Sequence, residues 1–191
     1  MKVIGFNGSP HKKGNTFLAI RQVFGQLEAQ GIETEMISIG SEEVRPCDGC
    51  GECKETRDGF CIIDDDDVNI YMKKAYDADG MVIGTPVYFG SVTPKVKALV
   101  DRMGYCSRAG GYLLKRKVCV AVAAVRRQGA VDALNQINNM FMLNQCILPS
   151  SVYWNFGIGR IPGEIKNDVE GMETLKILGE NMAWLIKKIN G

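Results

Sequence analysis

The stretch KVIGFNGSPHKKGNT, residues 2–16, passes from a short apolar run through a loop with two glycines into the start of a helical pattern. Its first six residues have the character of a β-strand, and the apolar spacing that follows is that of a helix. Backbone N–H groups converge where such a loop enters a helix, and the helix dipole makes that end positive. The stretch therefore predicts a strand, an anion-binding loop and a helix in succession, which is the beginning of an α/β fold.

The same alternation continues along the rest of the chain. Strands are predicted at residues 2–7, 33–39, 80–85, 117–124 and 147–153, and helices at 15–30, 66–76, 93–104, 130–144 and 169–189. Parallel neighbours need crossover connections, and right-handed crossovers place helices on both faces of the sheet. The sequence therefore predicts a doubly wound, five-stranded parallel sheet in a single domain that spans residues 1–191.

Length, charge and hydropathy exclude several classes of protein. With 191 residues and 46% hydrophobic content the chain is long enough to bury one domain-sized core. Its 23 basic and 22 acidic residues nearly balance, so it lacks the basic field that nucleic-acid binding requires. The longest apolar run, Val118 to Val125, is too short to cross a bilayer. We expect a cytoplasmic protein with neither a nucleic-acid nor a membrane partner.

The polar groups of the first loop suit a phosphate monoester. Hydroxyl, amide and cationic side chains lie close together there: Ser9, His11, Lys12, Lys13, Asn15 and Thr16. A simple helix cap formed by Ser9 or Asn15 is the alternative. Capping alone explains neither the two glycines nor the three potential cations, so the sequence favours phosphate.

The glycine spacing narrows the type of phosphate ligand. A P-loop requires Gly-x-x-x-x-Gly-Lys-Ser/Thr, whereas Gly8 and Gly14 enclose five residues and Asn15 stands in the lysine position. The Gly-x-Gly-x-x-Gly fingerprint of dinucleotide-binding folds is also missing. Among doubly wound sheets this leaves the flavodoxin-like arrangement, with strand order 2-1-3-4-5 and FMN bound beside strands one and three.

The loop after the third strand tests that interpretation. It reads TPVYFGSVTPKVKALVDR, residues 85–102, and places Tyr88 and Phe89 between Pro86 and Gly90 at the carboxyl end of the strand. Aromatic rings and exposed backbone amides at this edge suit a flat conjugated ring. Packing of either aromatic ring in the core is the alternative.

Together, the two loops resemble the paired signature of the NAD(P)H-dependent FMN reductase branch of flavodoxin-like proteins. The resemblance implies that the first loop binds the FMN phosphate through Ser9, His11, Gly14, Asn15 and Thr16. It implies that the isoalloxazine ring borders the second loop, at Pro86, Val87, Tyr88, Phe89, Gly90 and Ser91. A third contact of that family, a glycine-rich turn after strand four, would fall on Ala124 and Arg126, where AAVRRQGA, residues 123–130, has a single glycine.

A cysteine-rich loop, residues 45–63, follows the second strand. Within it PCDGCGECKETRDGFC, residues 46–61, holds four of the seven cysteines, spaced C-x2-C-x2-C-x7-C. A reducing cytosol keeps such thiols free, and a run of three with a fourth nearby favours an iron-sulfur cluster. Intervening glycines allow peptide N–H groups to point at sulfur. A four-cysteine zinc site and a redox-sensing thiol group are the alternatives.

This compact motif resembles that of the iron-sulfur flavoproteins, which carry FMN and one 4Fe-4S cluster per subunit. The resemblance implies that Cys47, Cys50, Cys53 and Cys61 are the cluster ligands, while zinc or an empty site remains open. The acidic run 64–67 is most simply the charge complement of the next helix. The resemblance also implies a homodimer or homotetramer, in which Trp154 and Phe156 are either interface aromatics or cover for the sheet edge.

No side chain is predicted to be catalytic, because His11 is the only histidine and lies in the first loop. Cofactors would carry the chemistry. Our main hypothesis is an FMN and 4Fe-4S oxidoreductase that transfers electrons between a ferredoxin-like carrier or NAD(P)H and a small acceptor such as oxygen, peroxide or a quinone. One alternative is an NAD(P)H-dependent FMN or quinone reductase without a cluster. Another is a non-catalytic flavin and thiol redox sensor.

Overall fold

The computed structural model describes all 191 residues and contains one five-stranded sheet in which every neighbouring pair is parallel. The strands are β1 (Lys2–Asn7), β2 (Glu33–Ile37), β3 (Gly80–Pro86), β4 (Val118–Val125) and β5 (Phe156–Ile158). Their order is β2-β1-β3-β4-β5, which confirms the predicted flavodoxin-like arrangement. In this order the loops that follow β1, β3 and β4 open at the same edge of the sheet.

Six helices connect and flank these strands. They are α1 (Asn15–Ala29), α2 (Glu52–Thr56), α3 (Val68–Asp77), α4 (Pro94–Ala109), α5 (Ala130–Leu143) and α6 (Val169–Asn190), with 3-10 turns at Ile39–Ser41 and Glu164–Asn167. None of the helices has the length and apolar character needed to cross a membrane.

The sheet separates two apolar cores. Side chains alternate between its faces, so in β3 Val82 packs with α1 and α6, whereas Met81 and Ile83 pack with α3, α4 and α5. All eight residues of β4 are buried. Such continuous burial is expected of a central parallel strand covered by helices on both faces.

The prediction of the last strand was wrong. Residues 147–153 are irregular apart from a single bridge between Ile147 and Val118, and β5 begins only at Phe156. Pro149 interrupts the predicted strand because it has no N–H to donate to a neighbouring strand. Ser151 instead forms local hydrogen bonds to the carbonyl of Tyr153 and the side chain of Asn155, both at 2.7 Å.

Helix α4 extends five residues beyond its predicted end at Gly104. This glycine lies where α4 crosses α5, and a Cβ there would come within 3.0 Å of the Met140 side chain. Gly104 therefore permits close helix packing and does not end the helix. The extra turn carries Tyr105 and Cys106 towards the cysteine segment.

Candidate functional site

The first loop is fixed to the neighbouring strand and helix through its backbone. Gly8 N donates to Gly84 O of β3 at 2.8 Å, and the Thr93 hydroxyl donates to Gly8 O at 3.1 Å. A Cβ on Gly8 would lie 2.1 Å from the Val96 side chain, so only glycine fits. The first loop and the loop after β3 are therefore held side by side, as the resemblance implied.

Helix α1 begins after Gly14, and no side chain caps its first N–H groups. Ser9 is not the cap, because its hydroxyl accepts from His11 N at 3.1 Å. The first turn contains no acidic residue, and Thr16 within it is buried. The capping alternative is therefore wrong. The start of α1 keeps free N–H groups and a positive dipole end, which suits an anion.

The structure places Asn15 in a positioning role. Its amide donates to Ile161 O at 2.9 Å and accepts from Gly163 N at 2.8 Å. These bonds anchor the loop after β5 to the start of α1, and they leave at most one amide N–H for a ligand. His11 is exposed, whereas Ser9 and Thr16 are buried and Asn15 is partly buried.

The loop after β3 makes a tight turn in which Tyr88 and Ser91 exchange backbone hydrogen bonds at 2.9 and 3.0 Å. Phe89 and Gly90 both have left-handed backbone conformations, with φ of 48° and 75°. The Phe89 side chain is fully exposed, and that of Tyr88 is about half exposed. Neither ring packs in the core, so the core-packing alternative is wrong for both. A left-handed phenylalanine in solvent is unfavourable and marks the turn as a functional candidate.

The loops after β3 and β4 border one cavity of about 310 Å³. Its lining residues are Val87, Phe89, Gly90, Val125, Arg126, Arg127 and Gln128. Val87 N donates to the carbonyl of Ala124 at 3.1 Å, which fixes the spacing between the two loops. Arg126 lies at the mouth of this cavity with its side chain exposed. Of the predicted contacts after β3 and β4, Val87, Phe89, Gly90 and Arg126 therefore line one cavity, whereas Pro86, Tyr88, Ser91 and Ala124 do not.

A second, more polar cavity of about 490 Å³ lies beside it and brings together three guanidinium groups. Arg126 and Arg127 come from the loop after β4, and Arg160 comes from the loop after β5. The nearby carboxylate of Glu164 accepts from the backbone N–H groups of Ile161 and Arg160, which hold its pKa below the ordinary value. Sequence analysis missed Arg160 because it lies outside every motif.

All four predicted ligand cysteines line another cavity, of about 130 Å³, in the cysteine segment, which we define as residues 46–61. Gly49 and Gly51 have φ of 68° and 85°, which lets the backbone turn between successive cysteines. Gly49 N points at Cys47 Sγ, 3.4 Å away. No group of three or more His, Cys, Asp or Glu side chains lies close enough together to coordinate a single metal ion. The four thiols instead line the wall of this cavity.

The end of the cysteine segment is held by α3. Cys61 N donates to the Asn69 side-chain oxygen at 2.9 Å, and the Asn69 amide donates back to Cys61 O at 2.9 Å. Sequence analysis missed Asn69, because a single asparagine in a helical pattern carries no signal of its distant partner.

Helix α4 supplies the inner wall of the same cavity through Arg102, Tyr105 and Cys106. Cys106 is a fifth thiol, buried beside Cys53, and burial raises its pKa well above the ordinary value. The protein therefore keeps Cys106 protonated while the four cysteines of the segment lie nearer the surface. Neither Arg102 nor Cys106 was predicted as a site residue.

Arg102 is fully buried and forms an ion pair with Asp66, whose side chain is also fully buried. Burial alone would raise the pKa of Asp66, but hydrogen bonds from Arg102 and from the backbone of Arg45 and Val68 lower it overall. As expected of a charge complement, Asp66 accepts from the Val68 N–H at the start of α3 at 3.1 Å, but it also pairs with Arg102. Asp66 is the buried counter-charge of Arg102.

The Arg102 Nε–H makes no hydrogen bond, although it is buried. Buried donors without a partner are costly and rare, so this N–H calls for an acceptor in the cavity that Arg102 lines. Four thiols, a peptide N–H aimed at sulfur and a buried cation form a donor set that suits an anionic, thiolate-ligated group. The residues present therefore fit an iron-sulfur cluster.

Over residues 1–160 the chain matches the protein family described as NADPH-dependent FMN reductase. It is 42% identical over 196 residues to an iron-sulfur flavoprotein of Methanocaldococcus jannaschii, with 99% of both chains covered. It is 32% identical over 191 residues to an iron-sulfur flavoprotein of Methanosarcina thermophila, with 99% of this chain and 97% of that protein covered.

Solved structures show the same architecture. RosB with bound 8-demethyl-8-formylriboflavin-5'-phosphate superimposes with a TM-score of 0.79 at 19% identity, covering 99% of this chain and 80% of that one. A flavodoxin from the domain Archaea superimposes with a TM-score of 0.64 at 13% identity, covering 98% of this chain and 99% of that one. At these identities the likeness shows a shared flavodoxin-like fold.

Proposed function

The chain belongs to the NADPH-dependent FMN reductase family and, within it, to the iron-sulfur flavoproteins, and we propose that it couples FMN to a 4Fe-4S cluster in electron transfer. Membership makes it an FMN-binding, flavin-dependent oxidoreductase. The cluster, the residues that hold each cofactor and the electron partners are the proposal. The observation that carries it is the convergence of four cysteines on one cavity, which is also lined by Arg102, whose buried Nε–H has no partner.

The first loop would bind the FMN phosphate. The free N–H groups at the start of α1, the hydroxyls of Ser9 and Thr16 and the cationic groups of the loop all suit a dianion. Asn15 holds the loop after β5 against this site. Because Gly8 fixes the loop to β3 and α4, the phosphate site needs no rearrangement of the backbone.

The isoalloxazine ring would occupy the cavity between the loops after β3 and β4. Val87, Phe89, Gly90, Val125 and Arg126 line this cavity, and the exposed ring of Phe89 stands at its edge. When bound, FMN supplies two-electron chemistry with a hydride donor, and the cluster supplies one-electron exchange. The chain would position both groups and shield them from water.

For the electron partners we propose a ferredoxin-like carrier or NAD(P)H as donor and a small molecule as acceptor. The three guanidinium groups beside the flavin cavity suit the phosphates of NADPH. We also propose a homodimer or homotetramer. Trp154 is about half exposed and free for an interface, whereas Phe156 is half-buried in β5 and covers the sheet edge.

Anaerobic purification tests the proposal. We expect the flavin absorption bands on a broad brown background, with FMN, iron and acid-labile sulfide in the ratio of one flavin to one 4Fe-4S cluster per chain. Zinc, or no metal at all, would refute the cluster and leave an FMN reductase without it. Steady-state turnover with NAD(P)H and with reduced ferredoxin then identifies the donor.

A further inference from the structure

We infer that Arg102 is a positioning residue for the cluster: it fastens the two ends of the cysteine segment together and directs its Nε–H to the cluster. Through this contact the Arg102–Asp66 pair sets the reduction potential of the cluster. The inference rests on the proposed function, because it requires that the four-cysteine cavity hold the cluster.

The hydrogen bonds of Arg102 hold the two ends of the cysteine segment together, an arrangement that we call the clamp. One terminal nitrogen donates to Arg45 O at 3.3 Å and the other donates to Ile63 O at 2.7 Å. These two carbonyls flank the cysteine segment on either side, and the Asp66 carboxylate accepts from the same guanidinium. A single side chain from α4 therefore closes the segment at its base.

The clamp uses both terminal nitrogens and leaves Nε, which has no partner in the chain. The Arg102 side chain is fully buried and borders the cavity that Cys47, Cys50, Cys53 and Cys61 also line. Asp66 balances the charge of Arg102, but it leaves the buried Nε–H without an acceptor, which is costly. An anionic, sulfur-rich group in the cavity supplies the missing acceptor.

The sign of the electrostatic effect follows from the charges. Reduction adds negative charge in the cavity, so the Arg102 cation and its N–H favour reduction. The Asp66 carboxylate opposes it. The other charged groups at the cavity, Asp48 and Lys54, are exposed and are screened by water and salt. The Arg102–Asp66 pair is therefore the largest electrostatic influence on the reduction potential of the cluster. Arg102 raises this potential and Asp66 lowers it.

The test compares Arg102→Gln, Arg102→Lys and Asp66→Asn with the wild type, all purified anaerobically with the cluster bound. The potential of the cluster is measured by redox titration, with electron paramagnetic resonance of the reduced cluster as the signal. We expect Arg102→Gln to shift the potential to more negative values and Asp66→Asn to shift it to more positive values. Arg102→Lys, which keeps the charge but loses the fork of donors, should lie between Arg102→Gln and the wild type.

The control is Arg108→Gln, on the same helix with its side chain in solvent, which should leave the potential unchanged. A clamp without an electrostatic role predicts shifts of the same sign for Arg102→Gln and Asp66→Asn, or none, and either result would overturn the inference. Should Arg102→Gln fail to load the cluster, the sign of the Asp66→Asn shift decides: a positive shift supports the inference, and any other result refutes it. A wild type without iron would refute the proposed function itself, and the inference with it.

Discussion

The first loop, residues 8–16, and the cysteine segment, residues 46–61, are the two regions to which we assign binding, and they are built in different ways. The first loop is short, and glycine backbone contacts with β3 and α4 hold it in place. The cysteine segment is more exposed, and the side chains of Asn69 from α3 and Arg102 from α4 hold its ends. A site formed by backbone contacts can be read from its own stretch of sequence. A site held by side chains from other helices depends on residues far away in the sequence.

The sharpest test of this division is Cys50→Ser. We expect it to remove most of the iron and acid-labile sulfide while FMN stays bound, because the two cofactors are held by separate segments. Metal analysis and flavin absorption of the same sample measure both. Cys146→Ser is the matched control: its thiol donates to Leu114 O at 3.4 Å, away from the cavity, and its loss should leave iron unchanged. Unchanged iron in Cys50→Ser would contradict the ligand assignment.

Gly8→Ala tests the first loop with the next largest effect. The added Cβ would clash with Val96, so we expect the loop to shift, at a cost of about 1–3 kcal/mol. FMN content should fall while iron is retained. The control is Gly25→Ala in α1, where a Cβ meets nothing within 4 Å and should stabilise the helix by about 1 kcal/mol. Loss of iron together with FMN would show that the two regions are coupled.

Asn15→Asp tests the contribution of the phosphate to FMN binding separately from that of the flavin ring. The new negative charge opposes a phosphate at the start of α1, so FMN should bind roughly tenfold more weakly, which is about 1.4 kcal/mol. Riboflavin, which has no phosphate, should lose much less affinity. Fluorescence titration of the cofactor-free protein with both ligands makes the comparison, and equal losses would refute the phosphate placement.

His11→Gln should have the smallest effect. The side chain is exposed, and if the backbone of α1 binds the phosphate, FMN affinity should change by less than about threefold, or roughly 0.7 kcal/mol. The same titration measures it. A loss as large as that of Asn15→Asp would mean that side chains, and not backbone N–H groups, carry phosphate binding in this loop.

The sequence predicts the parts of the molecule that are encoded locally. Four of the five strands, the strand order and the positions of the loops after β1 and β3 follow from apolar runs and glycine positions. The fifth strand was misplaced because residues 147–153 are apolar, although Pro149 prevents regular pairing.

The role of Arg102 could not be predicted from the sequence, because its partners lie 36 to 57 residues away. One feature of the sequence nonetheless indicates that Arg102 is buried. In α4 the residues Leu99, Arg102 and Cys106 share one helical face, and a charged residue on an otherwise apolar face is unusual. Such a residue needs a buried counter-charge or a ligand, and Asp66 supplies the first.

Phe89 shows how this protein departs from the most stable sequence for its fold. A glycine there would relieve the left-handed backbone, by about 1–2 kcal/mol, and would remove an aromatic ring from solvent. A consensus or computational redesign aimed at thermal tolerance would therefore replace this residue early, and activity assays of such a redesign should include its reversion.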